Sequence, residues 1–246
     1  MTLAGIDMAW ITASHPTAIA FGELQNDQLT LIAIQPDLLG LSCIQNALES
    51  APDLRGVAID APTIITNQYG ARACERELAR CYGGRKAGCH PTNRDRYPEA
   101  DSVALSDWLA HRRHEHACQQ ATKWQIECYP HPALIEIFQL AERHLYKKGP
   151  VPARQQGQIE LAQRLKSLAQ SPKLALIVAG EWSHHFSAEY IQSLRGRSLK
   201  QNEDVLDAII CLYIAGLFAR SEPGQLFGSV DLGYIYVPQC HCESRQ

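Results

Sequence analysis

The chain has 246 residues, enough for one large domain or two small ones, and no Pro/Gly/Ser-rich linker divides it, so a single domain over 1–246 is expected. Apolar residues make up 46% and charged residues 20%, ordinary values for a globular protein, and no run of about 18 apolar residues is present to span a membrane. With 23 basic and 26 acidic side chains the formal net charge is −3, which excludes a global attraction for nucleic acid and leaves only local ones.

No basic region followed by an apolar segment opens the chain, so a cytoplasmic location is expected. The 9 cysteines are an odd number scattered through apparent helices and strands, as expected of free thiols in a reducing compartment. Cys89-His90 and Cys240-His241-Cys242 lack the paired CxxC spacing of a structural zinc site. His111, His114 and His116 share a polar segment with Arg112 and Arg113, which predicts a solvated helix face.

The first strand is expected over Leu3–Trp10, with Asp7 set in an apolar run. Thr17–Leu24 and Gln28–Ile34, separated by a short polar turn, predict a hairpin, so the sheet begins as three antiparallel strands. Pro36–Ser50 has helical spacing and carries the chain to a strand ending in Ile59-Asp60-Ala61-Pro62, parallel to the first. By period two, Asp7 shares a face with Gly5 and Ala9, and Asp60 shares one with Gly56 and Ala58. Such small-residue faces would let an ion or a substrate backbone approach the sheet. The plainer account is that each Asp begins a turn or caps a helix.

Arg72–Tyr82 predicts a helix with Arg72, Arg76 and Arg80 at four-residue spacing. Gly83–Gly88, carrying Arg85 and Lys86, and then Thr92–Arg96, carrying Arg94, form a cationic glycine-rich stretch. It could wrap phosphate through main-chain N–H groups and Arg forks, although it lacks the ending of a nucleotide-binding P-loop. Ala100–Gln120 predicts a polar helix. Lys123–Tyr129 predicts a strand with Glu127 near its carboxyl end, where ligands of open α/β sheets collect. Helices follow at Ala133–Leu140 and Arg154–Gln170, with a basic loop, Lys147-Lys148-Gly149-Pro150, between them.

The last long helix is expected from near Asn202 to Ala219. Glu203 and Asp204 then fall in its first turn, where the helix dipole favours acids. Asp207 lies deeper, in an apolar stretch where an unpaired carboxylate would be costly, with Asp204 one turn back on the same face. Gly228–Pro238 predicts a closing hairpin-like segment.

Asp7, Asp60, Glu127 and Asp207, with Asp204 beside them, are thus the candidate site. Clustered carboxylates repel one another, and a divalent cation would relieve that. Hard oxygen donors favour magnesium or manganese, and such ions can activate water for phosphodiester cleavage.

The order Gly5-Ile6-Asp7, Ala58-Ile59-Asp60-Ala61-Pro62, Arg72, Glu127-Cys128-Tyr129-Pro130 and Asp204-Val205-Leu206-Asp207-Ala208 resembles the DUF429 family of predicted ribonuclease H-like nucleases. The resemblance implies a five-stranded mixed RNase H-like sheet, three antiparallel strands followed by two parallel ones, with helical insertions between 62–122 and 140–200. It also implies a catalytic set of Asp7, Asp60, Glu127 and Asp207. The last helix is similar to that of Holliday-junction resolvases, which implies Asp204 as a further ligand for Mg²⁺ or Mn²⁺. The expected function is metal-dependent cleavage of DNA or RNA, with Arg72, Arg76, Arg85, Lys86 and Arg94 on the phosphate backbone. The rival reading is an inactive binding or scaffold module of the same fold. An actin-like sugar or acetate kinase is disfavoured, because a second phosphate loop and a duplicated domain are missing.

Overall fold

The computed structural model describes residues 1–178 and 180–239, so the Cys240-His241-Cys242 run lies outside the described residues. The first half of the chain forms β1 (Thr2–Asp7), β2 (Thr17–Gln25), β3 (Gln28–Leu38), α1 (Leu41–Ser50), β4 (Leu54–Asp60), α2 (Ala73–Tyr82) and α3 (Asp101–His111). It continues with β5 (Glu115–His116), β6 (Trp124–Glu127), α4 (Pro130–Phe138), α5 (Val151–Ser167) and β7 (Ala175–Ile177). Last come α6 (Ala188–Ser193), α7 (Gly196–Ala219), β8 (Gly224–Ser229) and β9 (Gly233–Pro238).

Seven strands form one mixed sheet in the order β5-β6-β4-β1-β2-β3-β7, and β8 pairs with β9 separately. The first three strands are antiparallel neighbours, and β4 and β6 run parallel on the other side of β1. These are the five strands expected, but the five-strand count is corrected to seven by a parallel strand at each edge. Both edge strands, Glu115–His116 and Ala175–Ile177, are too short to show a period of two.

One side of the sheet carries Leu3, Ala18, Ala20 and Ala58 against α7, and the other carries Ala4, Ile6, Ile19, Val57 and Ile59 against α1 and α3. The alternation follows directly from the pleat. Helix α7 is buried on every side from Asn202 to Phe218, so it is the central pillar of one layer rather than an amphipathic surface helix. Among the described residues the cysteines are free thiols, and no helix is long and apolar enough to cross a membrane.

Several boundaries move. The predicted 100–120 helix stops at His111: Arg113 adopts a left-handed φ of 67° and the His114 N–H turns back to the Leu109 carbonyl at 3.0 Å. The expected solvated histidine face is therefore incorrect for two of its members. His114 is buried, which pushes its pKa down to about 4, and the His116 ring shares hydrogen bonds with Ser106 and the Tyr234 hydroxyl. Strand β3 runs past Ile34 through a register shift, so α1 begins at Leu41 rather than Pro36. Helix α7 begins at Gly196, where the Arg195 N–H donates to Ser198 Oγ at 3.2 Å. Glu203 and Asp204 consequently lie beyond the first turn, and the helix dipole no longer accounts for them.

Candidate functional site: a carboxylate cluster beneath α7

Asp7 ends β1 and Asp60 ends β4, and the two are register partners of a parallel pair, which puts their backbones about 4.8 Å apart. Both strands stop there for local reasons. Beyond Asp7 the chain turns, its Ala9 N–H donating to Thr17 Oγ1 at 3.1 Å, and Pro62 cannot extend β4.

Helix α7 lies directly on this edge. A Cβ on Gly5 would fall 1.9 Å from the Leu212 nitrogen and 2.3 Å from the Ala208 oxygen. The clear face expected to admit an ion or a substrate backbone is thus filled at Gly5 by helix backbone. At Gly56 it is filled by the Trp124 ring, 2.1 Å from where a Cβ would sit. The close approach nevertheless brings the acids of α7 to Asp7. Asp204 is 6% exposed and Asp207 is fully buried.

Electrostatics follow from that crowding. Burial, with the Asp207 carboxylate adding to it, raises the Asp7 pKa well above the carboxylate range. Burial raises Asp60 to about 7, Lys147 opposing the shift and Asp207 and Glu127 reinforcing it. Asp204 is raised by burial against the opposing charge of Lys200. Two lysines counter the acids. Lys147 Nζ stands 2.6 Å from Asp207 Oδ2, and Lys200 pairs with Asp204 and, at 2.8 Å, with Glu203. The Tyr146 hydroxyl donates to Asp207 Oδ1 at 2.5 Å. Among the described residues no three His, Cys, Asp or Glu side chains converge as metal ligands. Two clefts open beside the acids: one lined by Asp7, Trp10, His15, Tyr97, Lys200 and Asp204, the other by Trp10, Asp60, Pro62, His90 and Tyr129.

A model of the family described as a protein of unknown function, DUF429, matches residues 5–230. The chain belongs to the DUF429 family. No curated protein and no solved structure matches it.

In this DUF429 chain the other predicted site residues have different surroundings. Glu127 is 2% exposed and is gripped by the Arg72 fork, Nη1 at 2.9 Å and Nη2 at 2.5 Å, while the Thr63 N–H donates to it at 2.8 Å. Arg72, 3% exposed, also donates through Nε to Glu75 at 2.8 Å. A guanidinium 3% exposed and spent on two internal carboxylates is not offered to a phosphate backbone, so that expectation for Arg72 is corrected. Glu127 is already charge-compensated by Arg72, and it lines the cleft that holds Asp60.

The glycine-rich stretch of this family member is not an anion cradle. It continues α2 as a 3-10 turn, Gly83–Arg85, with the Lys86 and Ala87 N–H groups returned to the Gly83 and Tyr82 carbonyls. A helix C-terminus presents carbonyls, which repel anions. Arg85 binds Glu136 at 3.0 Å and the Leu140 carbonyl at 2.6 Å, tying α2 to the end of α4. Lys86 pairs with Glu142 at 2.5 Å. Arg76 and Arg94 are exposed, though they also donate to the Ala71 and Ile65 carbonyls.

Lys147, Lys200 and Tyr146 are participants that the sequence reading missed. Lys200 was legible as a partner four residues before Asp204. Lys147 was noticed only as part of a basic loop, and nothing local says that it turns inward.

Proposed function

We propose that this DUF429 protein is a metal-dependent phosphodiesterase of RNase H-like architecture acting on DNA or RNA. One observation carries the reading: Asp7 and Asp60 end neighbouring parallel strands in register, with Asp207 of α7 acting on both and Asp204 of α7 beside Asp7. The central strand order, three antiparallel strands and then two parallel ones, supports the same reading. The donor chemistry fits a hard cation, because these are carboxylate oxygens whose mutual repulsion at Asp7 and Asp60 asks for positive charge. Asp7 and Asp60 would flank Mg²⁺ or Mn²⁺, with water completing its shell, and the ion would supply an activated water and charge stabilisation at the leaving oxygen.

The chain's own groups supply the rest. Lys200 and Lys147 set positive charge beside the site for an anionic backbone. Trp10 and Tyr97, packed edge to face at 4.8 Å, offer the mouth a surface on which a base can stack. The test is cleavage of single-stranded and structured DNA and RNA with Mg²⁺ or Mn²⁺. Asp7→Asn should lower the rate by about 10²-fold or more, and undiminished cleavage in that variant would overturn the assignment.

A second reading is favoured by one observation, the absence of a three-ligand group among the described residues: a non-catalytic nucleic-acid-binding or scaffold module. Binding of nucleic acid without metal-dependent turnover would decide for it.

A further inference from the structure

We infer that two loops beside the clefts, 65–71 and 92–97, form a platform for an unpaired nucleic-acid strand, with Tyr69 stacking on a base and Arg76, Arg94 and Arg96 meeting phosphates. The inference rests on the nucleic-acid reading above and names its substrate class, single strand rather than duplex.

The two loops are fastened to each other. The Arg94 N–H donates to the Asn67 carbonyl at 3.1 Å and the Asp95 N–H to the Gln68 carbonyl at 3.2 Å. The Asn67 Nδ2 group reaches the Tyr69, Gly70 and Thr92 carbonyls at 3.1, 3.2 and 3.0 Å, and the Asn93 Nδ2 group reaches the Gly70 carbonyl at 2.8 Å. On this braced backbone Tyr69 remains 72% exposed, the most of any large apolar side chain among the described residues. A ring presented from a fixed backbone leaves less freedom to be lost on binding. Every base offers it a π-face, and in a duplex those faces are already stacked.

Cations stand around that ring. Arg94 and Arg96 flank Asp95, the single acid in the two loops, and Arg76 folds back from α2 to donate to the Ala71 carbonyl. All three are exposed, and none joins an ion pair among the described residues, whereas the exposed Arg112 and Arg197 are tied to Glu49 and Asp37. Guanidinium charge that no carboxylate claims is available to a phosphate backbone. The second loop also leads into the site. The Tyr97 N–H donates to the Asn93 carbonyl at 3.0 Å, and the Tyr97 ring packs on Trp10 in the cleft of Asp7 and Lys200. Thr92 lines the neighbouring cleft of Asp60. A strand laid along 92–97 therefore runs between Tyr69 and the acids.

The experiment measures, by fluorescence anisotropy in chelator, the binding of oligo-dT, oligo-U and a duplex, each of about 15 nucleotides. It uses full-length wild type, Tyr69→Ala, Tyr69→Phe and Arg94→Gln/Arg96→Gln. At least one single strand should bind more tightly than the duplex, the two strands telling DNA from RNA. Tyr69→Ala should weaken that binding about 5- to 100-fold and Tyr69→Phe should retain it. The double arginine variant should lower the slope of log affinity against log salt by about 1.4. A duplex bound as tightly as either strand, or an affinity unchanged by Tyr69→Ala, would overturn the inference. So would failure to bind any of the oligonucleotides, which would make the loops a protein contact instead. Cleavage of the same strands with Mn²⁺ separates the two claims. Tyr69-dependent binding without cleavage upholds the platform and refutes the phosphodiesterase reading, whereas cleavage with binding indifferent to Tyr69 does the reverse.

Discussion

Asp60 sits where a carboxylate is least comfortable, half-buried and desolvated at a strand end, with Asp207 and Glu127 near it and Lys147 and then Lys200 opposing them. Its folded pKa of about 7 lies above the ordinary aspartate value of about 3.9. Folding therefore favours its protonated form. The resulting stabilisation is complete below about pH 4 and is lost as the pH rises through about 7. In chelator, Asp60→Asn should gain stability relative to wild type on going from acid to neutral pH, as urea midpoints at the two pH values would record. Adding Mg²⁺ should raise the melting temperature of wild type at neutral pH and leave Asp60→Asn nearly unmoved. A wild-type-to-variant difference that stays constant with pH would mean that Asp60 is not strained by its surroundings. Asp7 is displaced in the same direction, by burial first and Asp207 second, and adds to the effect.

Helix α7 is the element on which the site depends. Its backbone touches β1 at Gly5, and that contact sets how far Asp204 and Asp207 reach toward Asp7. Gly5→Ala would drive a methyl into the Leu212 nitrogen and the Ala208 oxygen, which are backbone atoms unable to yield without moving the helix. The expected cost is about 3 kcal/mol or more, seen as a lower urea midpoint at unchanged slope. Gly22→Ala is the contrast within the same sheet. There the nearest atoms are the ends of the Leu212 and Leu29 side chains at 3.0 Å, which can turn aside, and the Thr30 carbonyl at 3.1 Å, all far looser than the 1.9 Å at Gly5, so the loss should be clearly smaller. Equal losses would show that α7 is not pinned at Gly5. The same helix explains why acids that look like dipole partners are something else. Its start at Gly196 leaves Glu203 and Asp204 in the buried third turn, answered by Lys200 and, for Glu203, by Arg154 at 3.3 Å.

Across the whole molecule, Arg72 joins parts of the chain that are far apart in sequence. It binds Glu127 at the end of β6, Glu75 in α2 and the Ile64 carbonyl in the loop after β4. This buried network holds the carboxyl ends of β4 and β6 together, and so keeps Asp60 in place from behind. Arg72→Met would leave Glu127 and Glu75 buried without their counter-charge, at a cost of about 3–5 kcal/mol. Denaturation of Arg72→Met and of Arg72→Met/Glu127→Gln measures it. The double variant should recover part of the loss, since the unpaired charge at Glu127 is gone. No recovery would mean that Arg72 acts through packing alone.

The sequence by itself determined the central sheet and the pairing of its acids. Apolar runs with a period of two define β1, β2, β3, β4 and β6, and an Asp at the end of each of two parallel strands must arrive at the same edge. It also determined membership of the family, through motifs spread over most of the chain. Only the tertiary structure decided which charges meet. Arg72 and Arg76 differ by one helical turn in a local pattern, yet one is buried on Glu127 and the other is exposed. Lys147 and Lys148 are adjacent, yet the former is aimed at Asp207 and the latter is exposed. Periodicity encodes which face of an element is buried. The partner a buried charge finds depends on elements that reach it from elsewhere in the chain, and no local pattern records that.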